Sequence, residues 1–336
     1  LDIFFLFLLN VTSSLFVAAS HNALYYVLDL RTFVFHFMHY FFSFIFFYFL
    51  TKLYSINETS KLCIFSLTLI KKLLPLSFFQ TILTFLTSFA HSGNRHGSLY
   101  VLRICDCITT IIILKFWNIF STKNNIKEKK EKNNIDTKDY YLLCPLAFFA
   151  SLSWLEFGNI EYNTFTLLFT PILAISRGFF LLYAKNTFNE VTKNDHNINF
   201  NNFCLNICMI TSLMLFIPSI ISASTSVVNA DASWESIDYT LIGLSFIYMI
   251  GMKYSEFKLF LEVDLRYYAV MEHTKFFFAS IGQWYIQNMA HATIYAFVGK
   301  ILYVISLIRF WICQNKTKKV EINTTKHSDN KQEKYF

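Results

Sequence analysis

The chain is divided into apolar segments that have about the length of a membrane-spanning helix. Such a helix needs ~20 residues to cross a hydrocarbon core of ~30 Å, because each residue advances ~1.5 Å along the axis. Ten segments bounded by polar or charged residues have about this length, at positions 3–28, 32–50, 73–90, 99–120, 140–157, 164–183, 203–222, 239–261, 267–286 and 289–311. The sequence therefore predicts an all-α membrane protein with about ten transmembrane helices.

The composition excludes an ordinary soluble globular protein. Of the 336 residues, 54% are hydrophobic and only 15% are charged, so a soluble fold would have too few charged side chains to cover its surface. The seven cysteines lack the Cys-x-x-Cys spacing of a zinc site and form no disulfide framework. No phosphate-binding loop or hydrolase motif occurs in the sequence. We therefore expect no metal, no cofactor, no catalytic residues and no enzymatic activity.

Basic residues concentrate in alternate loops, which predicts the orientation of the chain. Lysines crowd the loops after the second, fourth and sixth segments and the tail after the last one. Because cytosolic loops are enriched in Lys and Arg, we expect both termini in the cytosol. The basic loop 121–139 and the tail 312–336 are hydrophilic and predicted to be disordered, with no role in binding nucleic acid. The Lys253, Glu256 and Lys258 side chains are interpreted as anchors at the membrane interface.

An arginine lies inside the fourth apolar segment. Arg103 and Asp106 are one helical turn within its boundary, and Tyr100 precedes them. Burying an arginine in a bilayer costs at least ~2.5–3.5 kcal/mol on insertion scales, so such a residue faces a partner or a watery cavity. Arg103 and Asp106 either neutralise each other at i and i+3, or Arg103 faces a central cavity and binds an anion there.

Two further cations lie inside apolar segments. Lys275 has Glu272 three residues before it, and the two either form an internal pair or separate when a phosphate arrives. Arg177 has no acidic residue within a helical turn; it either binds an anion or extends toward the cytosolic end near Lys185. Lys275 and Arg177 therefore join Arg103 as candidate substrate-binding residues.

Two side chains are candidates for the uncharged part of a substrate. Tyr100 and His273 could offer hydrogen bonds or stacking to a sugar or a base, although packing against neighbouring helices is an equally simple role for both.

Three stretches of the chain carry a recognisable pattern. They run from Gly97-Ser98 to Cys107, from Ala269 to Lys275 (Ala-Val-Met-Glu-His-Thr-Lys), and from Gly299 to Val304 (Gly-Lys-Ile-Leu-Tyr-Val). These stretches resemble the fourth, ninth and tenth helices of the triose-phosphate/nucleotide-sugar transporter family of the drug/metabolite transporter superfamily. The resemblance covers most of residues 9–309. Phe276 stands where that family often has an arginine after the lysine of its ninth helix.

The resemblance implies a transporter with internal symmetry. A transmembrane domain of residues 1–311 would consist of two inverted five-helix repeats, at about 1–157 and 164–311. The fourth and ninth helices would then be symmetry mates, and Arg103 and Lys275 would hold the phosphates of the substrate. The implied activity is antiport of a nucleotide sugar or sugar phosphate against nucleoside monophosphate or phosphate. The single cation before Phe276 favours a nucleotide sugar and an ER or Golgi membrane, with a plastid or mitochondrial membrane as the alternative.

A second hypothesis belongs to another class of protein. The chain contains 40 Phe residues, a bias that is typical of some integral membrane subunits of larger complexes, such as mitochondrial respiratory complexes. Such a subunit would not transport anything. The transporter hypothesis instead expects a phosphorylated small molecule and the lipid bilayer as partners, with the chain acting as a monomer or a homodimer.

Overall fold

The computed structural model describes residues 2–22, 32–57, 67–91, 107–117, 137–154, 164–194, 198–224, 235–286 and 293–332. Within these ranges the chain forms ten helices: α1 (Ile3–Asn22), α2 (Thr32–Asn57), α3 (Leu67–His91), α4 (Cys107–Trp117), α5 (Thr137–Leu152), α6 (Thr164–Asn194), α7 (Phe200–Ser224), α8 (Ser236–Glu262), α9 (Leu265–Ile286) and α10 (Ile294–Gln332). They follow the order of the ten predicted apolar segments. The all-α architecture is thus confirmed.

Several of these helices have the length and composition of membrane spans. Five stretches of the described chain are long and apolar enough to cross a bilayer: Phe33–Leu53, Leu67–Thr87, Leu168–Lys193, Phe200–Ala223 and Ile294–Asn315. Ile3–Val17 and Cys107–Trp117 are shorter apolar helices. Many large apolar side chains on these helices point away from the core and are exposed, including Phe49, Leu213 and Ile294. Since water would penalise such a surface, the molecule is a multi-pass membrane protein whose outer faces contact lipid.

Helices from the first half of the chain pack mainly against helices from the second half. The most extensive contacts pair α2 with α7, α1 with α8, α3 with α6 and α5 with α10, and further contacts join α3 to α7 and α2 to α8. These six contacts are preserved when α1–α5 are exchanged in order with α6–α10, whereas the α5–α9 contact lies outside this correspondence. The pair α1–α8 becomes α6–α3, the pair α3–α7 becomes α8–α2, and the pairs α2–α7 and α5–α10 map onto themselves.

Hydrogen bonds donated by polar side chains reinforce the contacts between helices of the two halves. The amide of Asn10 on α1 donates to the hydroxyl of Ser255 on α8 at 3.1 Å. On α4, the hydroxyl of Thr109 donates to the carbonyl of Ala174 on α6 at 2.9 Å. Such bonds hold helices together where the surrounding lipid offers no hydrophobic driving force for association.

The composition predicts disorder in two segments, the tail at 312–336 and the basic loop at 121–139. α10 continues to Gln332, through most of the tail at 312–336 that the composition predicts to be disordered. The basic loop at 121–139 lies outside the described residues except for its last three, which begin α5.

At Gly299, the backbone of α10 passes close to the backbone at the end of α5. A Cβ atom added there would lie 2.8 Å from both the Leu152 carbonyl carbon and the Ser153 nitrogen, and backbone atoms cannot rotate away. Gly299→Ala should therefore lower the melting temperature of the purified protein in detergent, through overpacking of about 1–3 kcal/mol.

Gly243 in α8 provides a matched control, because a Cβ atom there would meet nothing within 4 Å. Gly243→Ala should leave the melting temperature unchanged or raise it, since Ala is favoured over Gly in helices by up to ~1 kcal/mol. Equal effects of the two substitutions would contradict the packing of α10 on α5.

Candidate functional site

Arg177 binds two carboxylates that come from two other helices. Its Nη2 atom donates to Oε1 of Glu256 on α8 at 2.7 Å and to Oε1 of Glu272 on α9 at 3.0 Å. The three side chains are largely buried, with exposed fractions of 30% for Arg177, 14% for Glu256 and 12% for Glu272. One guanidinium nitrogen is therefore the common point at which α6, α8 and α9 meet.

Two lysines extend this cluster. The ammonium of Lys275, whose side chain is only 7% exposed, donates to Oε2 of Glu272 at 2.8 Å. Lys253 lies one turn before Glu256 on α8, with its ammonium 5.5 Å from the centre of the Tyr40 ring on α2. We call Arg177, Lys253, Glu256, Glu272 and Lys275 the charge network.

The charge network carries more positive than negative charge. Three cations and two carboxylates leave one net positive charge when all five groups are ionised. Within the described residues no carboxylate lies within ion-pair distance of Lys253; the Tyr40 ring is its contact. A net positive charge inside an apolar protein attracts an anion, because charges in a low dielectric interact far more strongly than in water.

A narrow cavity adjoins the network. Its walls come from α4, α6 and α9 and include Thr109, Thr110, Arg177, Glu272 and Phe276. The volume of the cavity that water can occupy is about 20 Å³. One water molecule needs ~10–15 Å³. In this conformation the cavity has room for about one or two waters, so a larger ligand needs the helices to move apart.

The cavity wall is held in place by neutral hydrogen bonds. The Nε2 atom of His273 lies 2.7 Å from the hydroxyl of Thr110 on α4. On the next residue, the hydroxyl of Thr274 lies 2.8 Å from that of Tyr303 on α10. These bonds connect α9 to α4 through His273 and to α10 through Thr274.

Lys185 joins α6 to the turn between α8 and α9. The ammonium of Lys185 on α6 donates to the carbonyls of Phe260 and Val263 at 3.0 and 3.4 Å, where α8 ends. It lies 4.9 Å from the centre of the Trp117 ring on α4. Carbonyls at a helix C-terminus lack helical partners and carry partial negative charge, so a lysine is a favourable cap there.

A salt bridge lies at the same end of the bundle. The guanidinium of Arg266, at the start of α9, lies 3.1 Å from the carboxylate of the buried Asp139 at the start of α5. Lys185 and this pair together join α4, α5, α6, α8 and α9 on the side that the basic loops predict to be cytosolic.

The structure brings together two of the five residues proposed from the sequence. Arg177 and Lys275 share Glu272, and His273 lies beside them with its ring turned to α4. Arg103 and Tyr100 lie outside the described residues.

Sequence reasoning missed the role of α8. Glu256 and Lys253 were expected to be interface anchors, yet Glu256 is buried against Arg177 and Lys253 lies inward against Tyr40. Their spacing of three residues inside an apolar segment was the available signal. No protein-family model matches the chain, and no curated protein matches it.

The network should be destabilised when its central cation is removed. Arg177→Ala leaves the buried Glu256 without its ion pair, and breaking a buried pair costs about 3–5 kcal/mol. We expect a clear loss of thermal stability in detergent, and partial recovery in the double variant Arg177→Ala with Glu256→Gln, which removes the stranded charge.

Lys71→Ala is the matched control, because this α3 lysine is exposed. It should change stability by less than about 0.5 kcal/mol. If Glu256→Gln brought no recovery to the Arg177→Ala variant, the burial of the Glu256 carboxylate would be contradicted.

Proposed function

We propose that the protein is a secondary transporter of phosphorylated small molecules, of the triose-phosphate/nucleotide-sugar transporter type. It exchanges a nucleotide sugar or sugar phosphate for nucleoside monophosphate or phosphate across the ER or Golgi membrane. The observation that carries this proposal is the charge network, which places an excess of cations among apolar helices beside a cavity. Intramembrane charges of this kind mark the pathways of ions and charged substrates.

The position of Lys275 along α9 supports a transport site. Lys275 is ten residues after Leu265, the first residue of this 22-residue helix, which corresponds to about 15 Å along its axis. Lys275 therefore lies near the middle of α9. In secondary transporters the substrate binds near the midplane of the bilayer, so that it can be reached from either side in turn.

The helix contacts support two inverted five-helix repeats, at about 1–157 and 164–311. Six of the helix contacts map onto one another under the exchange of α1–α5 with α6–α10, as expected when two homologous units pack around a pseudo-two-fold axis. Helices of both repeats then lie around the charge network. Rocking of the two units would open the site alternately to the two faces of the membrane.

Binding of a phosphate follows from the chemistry of the cations. Arg177 presents a planar fork of donors that matches two phosphate oxygens, and Lys275 adds a point charge beside it. The carboxylates of Glu256 and Glu272 occupy Nη2 of Arg177 and the ammonium of Lys275 while no substrate is bound. A phosphate therefore replaces the carboxylates as the partner of these cations. Because the two cations are paired with carboxylates before the phosphate binds, neither is left in the empty site as an unpaired buried charge, which would be destabilising.

A ligand screen tests this function. The melting temperature of the purified protein is measured with nucleotide sugars, nucleoside monophosphates, triose phosphates and inorganic phosphate. A ligand that binds the folded state at ~100 times its Kd adds about 2.7 kcal/mol of stability. We expect at least one phosphorylated compound to raise the melting temperature and its unphosphorylated counterpart to have no effect.

Lys275→Ala should abolish that shift while the protein stays folded, because Glu272 keeps its contact with Arg177. The exposed Lys115 on α4 gives the control variant Lys115→Ala, which should keep the shift. If no phosphorylated compound stabilises the protein and it purifies with a large complex, the non-transporting subunit is favoured instead.

A further inference from the structure

The two carboxylates of the charge network differ in how many cations they contact. Glu272 binds Arg177 through Oε1 and Lys275 through Oε2. Among the described residues, Glu256 forms its ion pair with Nη2 of Arg177 alone. Displacement from Arg177 would therefore leave Glu272 paired with Lys275, whereas Glu256 would lose its ion pair.

An anion that binds Nη2 of Arg177 competes directly with Glu256. Both carboxylates meet the same Nη2 atom, and its hydrogen atoms cannot serve two carboxylates and a phosphate together. Glu256 then lacks its ion pair with Arg177, and Lys253 lies one turn away on the same helix. Burial penalises the charged form of a carboxylate, so the loss of this ion pair favours uptake of a proton.

One proton balances the charges of the described groups around Glu256 when a phosphate dianion binds. Within the described part of the chain, the groups that face it are Arg177 from α6, Lys253 on its own helix, and Glu272 and Lys275 from α9. Together with Glu256 they carry one net positive charge. A phosphate dianion changes this to one net negative charge, and one proton restores neutrality. A closed site in a membrane favours the neutral state, because moving net charge through a bilayer is expensive.

We propose that anion binding at Arg177 is coupled to the uptake of one proton by the carboxylate of Glu256, so that each phosphate-bearing substrate travels with a proton. This inference rests on the proposed function. The proton comes from water on the side to which the site is open and binds a carboxylate oxygen. It leaves when the anion departs and Arg177 pairs with Glu256 again. Net movement of substrate would then follow the proton gradient, whereas exchange of two dianions would move no net protons.

Proton uptake can be measured directly on the purified full-length chain with inorganic phosphate as the probe. The solution is weakly buffered and alkaline enough for inorganic phosphate to be the dianion already. Bound phosphate is counted with a radiolabel, and protons are counted with an indicator dye. We expect about one proton per bound phosphate, and hence a Kd for phosphate that rises about tenfold per pH unit across this range.

Two variants assign the proton to a residue. Glu256→Gln keeps the shape of the side chain but cannot titrate, so phosphate should still bind, without proton uptake and with a Kd that no longer depends on pH. Glu262→Gln is the matched control, since this glutamate also lies on α8 but its side chain is 49% exposed beside Lys258. It should behave like the unaltered protein.

The outcomes separate this inference from the proposed function. Binding of phosphate without proton uptake by the unaltered protein would overturn the coupling and leave the transporter proposal standing. Proton uptake that persists in Glu256→Gln would overturn the assignment to Glu256. If no phosphorylated compound binds at all, both proposals fail. The unaltered protein alone decides the coupling, even if Glu256→Gln does not fold.

Discussion

The ion pairs of Arg177 with Glu256 and Glu272 are the interaction on which the centre of this structure depends. A charge within apolar helices has to be paired, and here one guanidinium satisfies carboxylates from two other helices. This requirement fixes α6, α8 and α9 around one point. Lys253 on α8 and His273 on α9 then contact α2 and α4, so helices from the first half are positioned against the same centre.

The same ion pairs would link ligand binding to a change in the conformation of the bundle. The cavity beside Arg177 leaves space for only about one or two waters, and Lys185 caps α8 at one end of the bundle. Separating the helices breaks buried ion pairs, each worth about 3–5 kcal/mol when one partner is left alone. A ligand that supplies its own negative charge to Arg177 and Lys275 compensates for those pairs. Opening and binding would thus be linked through shared cations.

The sequence was sufficient for the helices because hydrophobicity is a local property, and each helix follows one apolar segment. It was also sufficient to single out Arg177 and Lys275, since a cation in an apolar run is recognisable without a structure. The partners of Arg177 could not be found in this way. Glu256 and Glu272 are 79 and 95 residues away, and their approach depends on how the helices pack. Glu256 in particular was hidden between Lys253 and Lys258, a pattern that is typical of a membrane interface.

We propose that the charge network is an anion site open alternately to both sides of the membrane. Counterflow tests this proposal, with the purified protein in lipid vesicles loaded with unlabelled inorganic phosphate and labelled phosphate added outside. We expect transient accumulation of label inside the vesicles, which requires a loaded interior and is lost in Lys275→Ala. Uptake no greater than in protein-free vesicles, for phosphate and for every phosphorylated compound that stabilises the protein, would contradict it.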